Sequence, residues 1–191
     1  MPIGVLGGTF DPPHMGHLVL GECARVQLGL ELVLFMPAGD PWQKASRNVS
    51  PSSERLAMTD LAIAENPNFH LDRREVDRTG PTYTVDTLRE LHAQGMDDLV
   101  LIVGSDALTD MPTWRQPEVI TSLARLAVAP KDTTERGAPK MGLASAPLIV
   151  EMPLLSLSST LVRERVRKGK PIRYLVPETV EAYIHDHALY R

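Results

Sequence analysis

The densest chemical signal in this 191-residue chain is Gly7-Gly8-Thr9-Phe10-Asp11-Pro12-Pro13-His14-Met15-Gly16-His17. Gly7 and Gly8 carry no Cβ, so a ligand can approach their backbone closely. Thr9 adds a hydroxyl and an N–H beside them. His14 and His17 are three apart at a predicted helix start, a spacing that lets both rings point to one side. N–H groups at a helix start favour phosphate. Two imidazoles there can donate hydrogen bonds to its oxygens, and an imidazolium would add attraction. The competing reading is a glycine turn followed by two capping or surface histidines. A metal site is a weaker reading, because no nearby carboxylate besides Asp11 completes a ligand set, and no metal ligand is assigned. The string is neither a GxxxxGK[ST] phosphate loop nor a GxGxxG dinucleotide fingerprint.

A second signal lies toward the other end. Leu157-Ser158-Ser159-Thr160-Leu161-Val162-Arg163 places three hydroxyls at a helix start, with Arg163 one turn further on. The hydroxyls can cap the helix or donate to phosphate. The Arg163 guanidinium matches phosphate oxygens as a fork. Alone, the segment also reads as a plain N-cap followed by a solvated basic helix. Residues 156–191 hold seven of the 20 Lys and Arg but only four of the 24 Asp and Glu, so this end is locally positive in a chain of net charge −4. Two phosphate-directed sites suit a nucleoside triphosphate. No Asp or Glu stands out as a nucleophile or general base. That points to catalysis by positioning and charge stabilisation, with the substrate's own phosphate as the attacking group. Mg²⁺ is expected to arrive on the triphosphate, held largely by phosphates and water.

These residues need a scaffold. Short apolar runs at 3–6, 32–36, 69–71, 99–103, 123–129 and 147–150 read as strands. Residues 17–28, 51–65, 84–93, 117–122, 159–167 and 177–187 read as helices, and 37–50, 72–81, 105–117 and 131–143 as irregular connections. Strand, loop, helix and strand within the first ~35 residues make a βαβ unit. The alternation predicts an α/β fold: a Rossmann-like, open, mostly parallel sheet with helices on both faces and a C-terminal helical extension. No linker is visible, so 1–191 reads as one domain whose helical part is 156–191. In such sheets ligands bind beyond the carboxyl ends of the strands, near a topological switch. The loops Gly7–Gly16, Pro37–Val49 and Gly104–Trp114 fall at such ends.

Composition narrows the class. A content of 43% hydrophobic and 23% charged residues excludes a wholly disordered chain. The acidic balance and the lack of interleaved aromatic and basic residues argue against nucleic acid as a partner. The single cysteine, Cys23, forms no internal disulfide and no cysteine-based zinc site. No apolar run approaches the ~20 residues of a membrane span, and the start of the chain lacks a basic leader. A cytoplasmic protein acting on small molecules is expected.

The same strings carry a resemblance. Gly7–His17 resembles the GGTFDPxHxGH motif, and Ser158–Arg163 the SSTxxR motif, of bacterial nicotinate-nucleotide adenylyltransferases in the nucleotidyltransferase superfamily. Three further stretches are similar to that family's own segments and together cover nearly the full chain. They are Gly80–Leu88 (PxYTxxTL), Gly104–Leu108 with Pro112–Trp114 (G[AS]DxL…W), and Ile172–Pro177 (IRYLVP). The resemblance implies transfer of AMP from ATP to nicotinic acid mononucleotide, giving deamido-NAD and pyrophosphate. It implies that His14 and His17 hold the ATP phosphates and the charge developing in transfer. Gly7, Gly8, Thr9 and Phe10 would line the nucleotide loop. Ser158, Ser159, Thr160 and Arg163 would meet the β and γ phosphates, Arg163 acting with the histidines in catalysis.

It further implies that Lys44 meets phosphate and that Gly104 and Asp106 contact ribose and adenosine. Trp114 would stack on the pyridine ring, and the Thr82, Tyr83 and Thr84 backbone would offer N–H groups to its carboxylate. A carboxylate only accepts hydrogen bonds, whereas an amide also donates, so a site made of N–H groups prefers the acid. Taken alone, Trp114 reads as a core or hinge packing residue, and Tyr83 as a packing rather than a stacking one. One departure is Pro41-Trp42-Gln43, where family members often have Pro-Pro-His. Trp42 and the sheet edge leave a homodimer open. The runners-up are a nicotinamide mononucleotide or phosphopantetheine adenylyltransferase and, in a different class, a non-catalytic nucleotide-binding regulator.

Overall fold

The computed structural model describes residues 1–40, 49–129 and 146–191. Six strands, β1 (Ile3–Gly8), β2 (Leu32–Pro37), β3 (Phe69–Leu71), β4 (Leu99–Gly104), β5 (Ala124–Ala129) and β6 (Leu148–Ile149), form one sheet in the order β3-β2-β1-β4-β5-β6. Every strand pair in it is parallel, with Val5 opposite Leu34 on one side and Leu101 on the other. The expected mostly parallel sheet is therefore wholly parallel among the described residues.

The continuous apolar runs have a simple cause. Both faces of the sheet are covered, so successive strand residues enter opposite cores. Leu34, Met36, Leu101, Val103, Leu126 and Val128 belong to one core. Val33, Phe35, Val100, Ile102, Ala127 and Ala129 belong to the other. The first core is closed by helices α4 (Thr84–Ala93), α5 (Ser105–Asp110) and α6 (Pro117–Leu123), through Val85, Leu88, Leu91, Leu108 and Ile120. The second is closed by α1 (Met15–Leu28) and α2 (Ser52–Ile63), through Leu20, Ala24 and Ile63. A third, smaller core joins α2 to the C-terminal helices α7 (Ser159–Arg167) and α8 (Glu178–Asp186). It is built from Met58, Val162, Ile172, Val176, Val180 and Ile184.

Some local expectations need correction. The first helix begins at Met15, not residue 17, because His14 stands in extended backbone (φ −141°, ψ 168°) as its N-cap. Residues 105–117 are not irregular throughout. They contain α5 and a 3₁₀ turn, Met111–Thr113, anchored by buried Leu108 and Met111. The charged stretch 72–81 holds a single helical turn, α3 (Arg74–Asp77), pinned by the Arg74–Asp72 ion pair at 2.6 Å. The segment 131–143, expected as a loop, lies outside the described residues.

The order of strands places the site. From β1 the chain moves outward to β2 and β3, then crosses back to β4 on the other side of β1. The loops leaving β1 and β4 therefore diverge, and a crevice opens between them.

Candidate active site

That crevice is an open cleft of about 1300 Å³. Four of the five motif stretches converge on it, through Gly7–His17, Thr82–Thr84, Gly104–Asp106 with Trp114, and Ser158–Arg163. The fifth, Ile172–Pro177, does not line it but packs in the third core, where the Leu175 carbonyl accepts from the Met15 N–H at 2.9 Å. Lys44 and Trp42 lie outside the described residues.

At the β1 end the loop is held by a chain of short bonds. Phe10 adopts a positive φ of 49° and buries its ring, which lies 5.9 Å from Phe35 and edge-on to His17 at 5.0 Å. Its side chain thus packs the loop down, leaving its backbone to the cleft. Gly7 opens onto free space. His14 and His17 are stacked with ring centroids 3.7 Å apart, as their spacing predicts. The His14 N–H donates to Nδ1 of His17 at 3.1 Å. An accepting Nδ1 puts the proton of a neutral His17 ring on Nε2.

Of the two donation modes open to His14, burial selects the neutral one. His14 is 6% exposed, and burial pulls its pKa from 6.5 down to about 4. Near neutral pH the ring carries no charge, so it offers a hydrogen bond and not an imidazolium. Its Nδ1 is buried with no partner among the described residues. Gly16 is what makes room for it: a Cβ there would lie 3.1 Å from Nδ1 and Cε1 of the ring.

Helix α7 meets this loop head-on. Its three hydroxyls divide their tasks. Ser158 Oγ accepts the Leu161 N–H as a true N-cap (3.1 Å), and Ser159 Oγ donates to the Pro12 carbonyl at 2.8 Å. Thr160 Oγ1 accepts from Arg163 Nη2 at 3.2 Å. Arg163 Nη1 donates to the Asp11 carbonyl at 2.7 Å. Ser159 and Arg163 therefore hold the first loop as well as lining the cleft. The Asp11 side chain is buried. It accepts from the Tyr190 hydroxyl at 2.6 Å and the Ser50 N–H at 3.2 Å. Burial, reinforced by the Asp11 carboxylate, holds the Tyr190 hydroxyl far above an ordinary phenol's pKa, so it remains a donor.

Across the cleft, Thr82 is buried and Tyr83 and Thr84 are half-buried at the start of α4. Arg115 sits 4.8 Å over the Tyr83 ring and pairs with Asp86 at 3.4 Å. Trp114 is half-buried against the first core, and its Nε1 has no partner among the described residues. Asp106, in the first turn of α5, is exposed to the cleft. Among the described residues no group of three or more His, Cys, Asp or Glu could hold a metal ion. With Asp11 committed to Tyr190 and Ser50, the donors suit an ion that keeps phosphate and water ligands. Sequence reasoning missed Tyr190 and Arg115 as parts of this site. Nothing in their spacing singles them out.

Comparison with known proteins gives the family and the fold. The Cytidylyltransferase-like family profile matches residues 5–165. A probable nicotinate-nucleotide adenylyltransferase of Roseiflexus sp. (strain RS-1) is 46% identical, covering 100% of this chain and 98% of its own. That of Streptomyces coelicolor is 48% identical over 97% of this chain and 99% of its own. The chain belongs to the nicotinate-nucleotide adenylyltransferase family. Solved structures share the fold of this adenylyltransferase. The Plasmodium falciparum nicotinic acid mononucleotide adenylyltransferase complexed with APC superposes with a TM-score of 0.82 at 17% identity, covering 99% of this chain and 96% of its own. Its complex with NaAD gives the same TM-score at 18% identity, covering 99% and 97%. Among the described residues of the adenylyltransferase no helix is long and apolar enough to cross a membrane.

Proposed function

We propose that this chain transfers AMP from ATP, taken as its Mg²⁺ complex, to nicotinic acid mononucleotide, giving deamido-NAD and pyrophosphate. The observation that supports it best is the convergence of four motif stretches, far apart in the chain, on one cleft at the sheet's switch point. A phosphate oxygen of the mononucleotide attacks the α-phosphorus. A new O–P bond forms as the bond to the pyrophosphate oxygen breaks, and no side chain becomes covalently attached. His14, as a neutral donor, and His17, through Nε2–H, stabilise charge on the phosphate oxygens. Thr160 and the α7 start, with Arg163, take the β and γ phosphates, while Gly104 and Asp106 meet the ribose. Trp114 stacks on the pyridine ring, with the Thr82–Thr84 backbone and the nearby Arg115 cation favouring its carboxylate. Mg²⁺ supplies charge neutralisation on the phosphates when bound. We read 1–191 as one nucleotidyltransferase domain working in the cytoplasm.

The test is Mg²⁺-dependent pyrophosphate release from ATP with nicotinic acid mononucleotide, nicotinamide mononucleotide or phosphopantetheine. Strong preference for the acid is expected. Equal use of the amide would overturn the specificity argument. Preference for phosphopantetheine would assign a different acceptor. Silence with all three from folded, ATP-binding protein would favour a regulator.

A further inference from the structure

The largest fully buried side chain of the described residues is not apolar. It is Arg55, on α2, at 1% exposure. Placing a guanidinium in a protein interior is costly unless its N–H groups are satisfied, and here they are satisfied by backbone alone. Nε donates to the Ser50 carbonyl at 3.0 Å. Nη1 donates to Thr9 at 3.0 Å and Ala38 at 2.6 Å. Nη2 donates to Gly39 at 2.8 Å. These carbonyls come from three places: the loop after β1, the end of β2 and the approach to α2. Burial works against the cation, and the Asp11 carboxylate supports it electrostatically. A core helix needs no such residue for packing, since Met58 and Ile63 already bury its apolar face.

The far side of this joint reaches the other half of the cleft. Gly39 abuts the mononucleotide wall so closely that a Cβ would collide with the Glu75 carbonyl oxygen and lie 3.2 Å from the Thr82 methyl. Glu75 accepts from Thr87 Oγ1 at 2.7 Å and from the Thr82 side chain. Asp40 bridges to Pro81 in parallel register. One guanidinium thus grips Thr9, beside the histidines, and Gly39, which braces Thr82.

We propose that Arg55 is a positioning residue for the transfer: it sets the spacing between the Thr9 loop and the Thr82–Thr84 loop, and so between the two reacting phosphates. The inference rests on the adenylyl-transfer reading, and its test separates the two. Transfer needs in-line alignment, and a misplacement of ~1 Å costs about 100-fold in rate. Lysine keeps the charge but cannot present a planar fork to four carbonyls.

In Arg55→Lys, shown folded by circular dichroism at the assay temperature, we expect kcat to fall about 10- to 100-fold. The Kd of Mg²⁺-ATP alone and of nicotinic acid mononucleotide alone should stay within about 3-fold, because each half-site remains intact. Amide hydrogen exchange should quicken at both Thr9–Phe10 and Thr82–Thr84. A kcat per folded molecule within about 2-fold of the parent would overturn the proposal, as would exchange that quickens at Ser50 and Ala38 but not at Thr82–Thr84. Both bounds are set against the same rate scale. The exchange measurement needs no substrate, so it judges the joint even if the parent protein released no pyrophosphate, the outcome that defeats the functional reading instead. Should Arg55→Lys fail to fold, Gly39→Ala strains the same joint from its other side with Arg55 in place. The same loss of kcat at near-constant Kd is expected, and full activity in that variant overturns the proposal.

Discussion

The two ends of the cleft are built on different terms. At the Gly7–His17 end the chain has made its bonds before any ligand arrives. Asp11, Pro12 and His14 are each held through main chain or side chain by groups on α7, by Tyr190 or by one another. At the Thr82–Trp114 end only Thr82 is buried; Tyr83, Thr84 and Trp114 are half-buried, and the Arg115–Asp86 pair beside them is a surface one, worth little in water. The difference matches the tasks assigned to them. Charge developing in a transition state is best met by dipoles already fixed in place. A planar ring is recognised by surfaces that can settle on it.

The largest test of that contrast is His17→Ala. Removing one fixed donor from the rigid end should lower kcat about 100- to 1000-fold, while ATP binding measured by calorimetry changes only a few-fold. An equal loss of affinity would mean that the pair merely holds substrate. The next test is pH. His14 titrates at about 4 in the folded chain against 6.5 as an ordinary histidine. On acidification the unfolded chain takes up the proton first. The stability tied to a neutral His14 is therefore complete above about pH 6.5 and is lost as pH falls toward 4. It amounts to at most about 3 kcal/mol. Urea unfolding between pH 7.5 and 4.5 should show this slope in the parent and a shallower one in His14→Asn, which keeps a capping side chain. Identical slopes would show that burial of this ring is not what sets the rigid end. The smallest effect is expected from Trp114→Ala at the adaptable end: KM for the mononucleotide up about 10-fold with kcat nearly unchanged, as loss of one stacking partner implies. A large drop in kcat there would erase the contrast.

The legibility of the two ends in the sequence differs in the same way. The first loop announces itself because its glycines, histidines and prolines are adjacent in the chain, and the strands because two-sided burial makes them continuous apolar runs. Strands β1 to β5 need adjustment by at most two residues. Helix α5 was not legible: Ser-Asp-Ala-Leu-Thr-Asp has too few apolar residues to show a period, and only burial of Leu108 fixes it. The charge state of His14 is not legible in the sequence, because burial, not residue type, decides it. Arg55 and Tyr190 were invisible for another reason. An arginine in a helix and a tyrosine after one look solvent-facing, and their partners Thr9, Ala38, Gly39 and Asp11 lie 16 to 179 residues away.

Those separations also bear on how the protein comes into being. The bonds from Ser159, Arg163 and Tyr190 reach back 147, 152 and 179 residues to the first loop. During synthesis, strands β1 to β4 can pair while the remainder is still unmade. The histidine loop cannot gain its last supports until the residues near 190 have cleared the ribosome's exit tunnel. A loop translated before most of the sheet is thus among the last parts to reach its working shape, and a nascent chain can carry paired strands well before it carries a formed site.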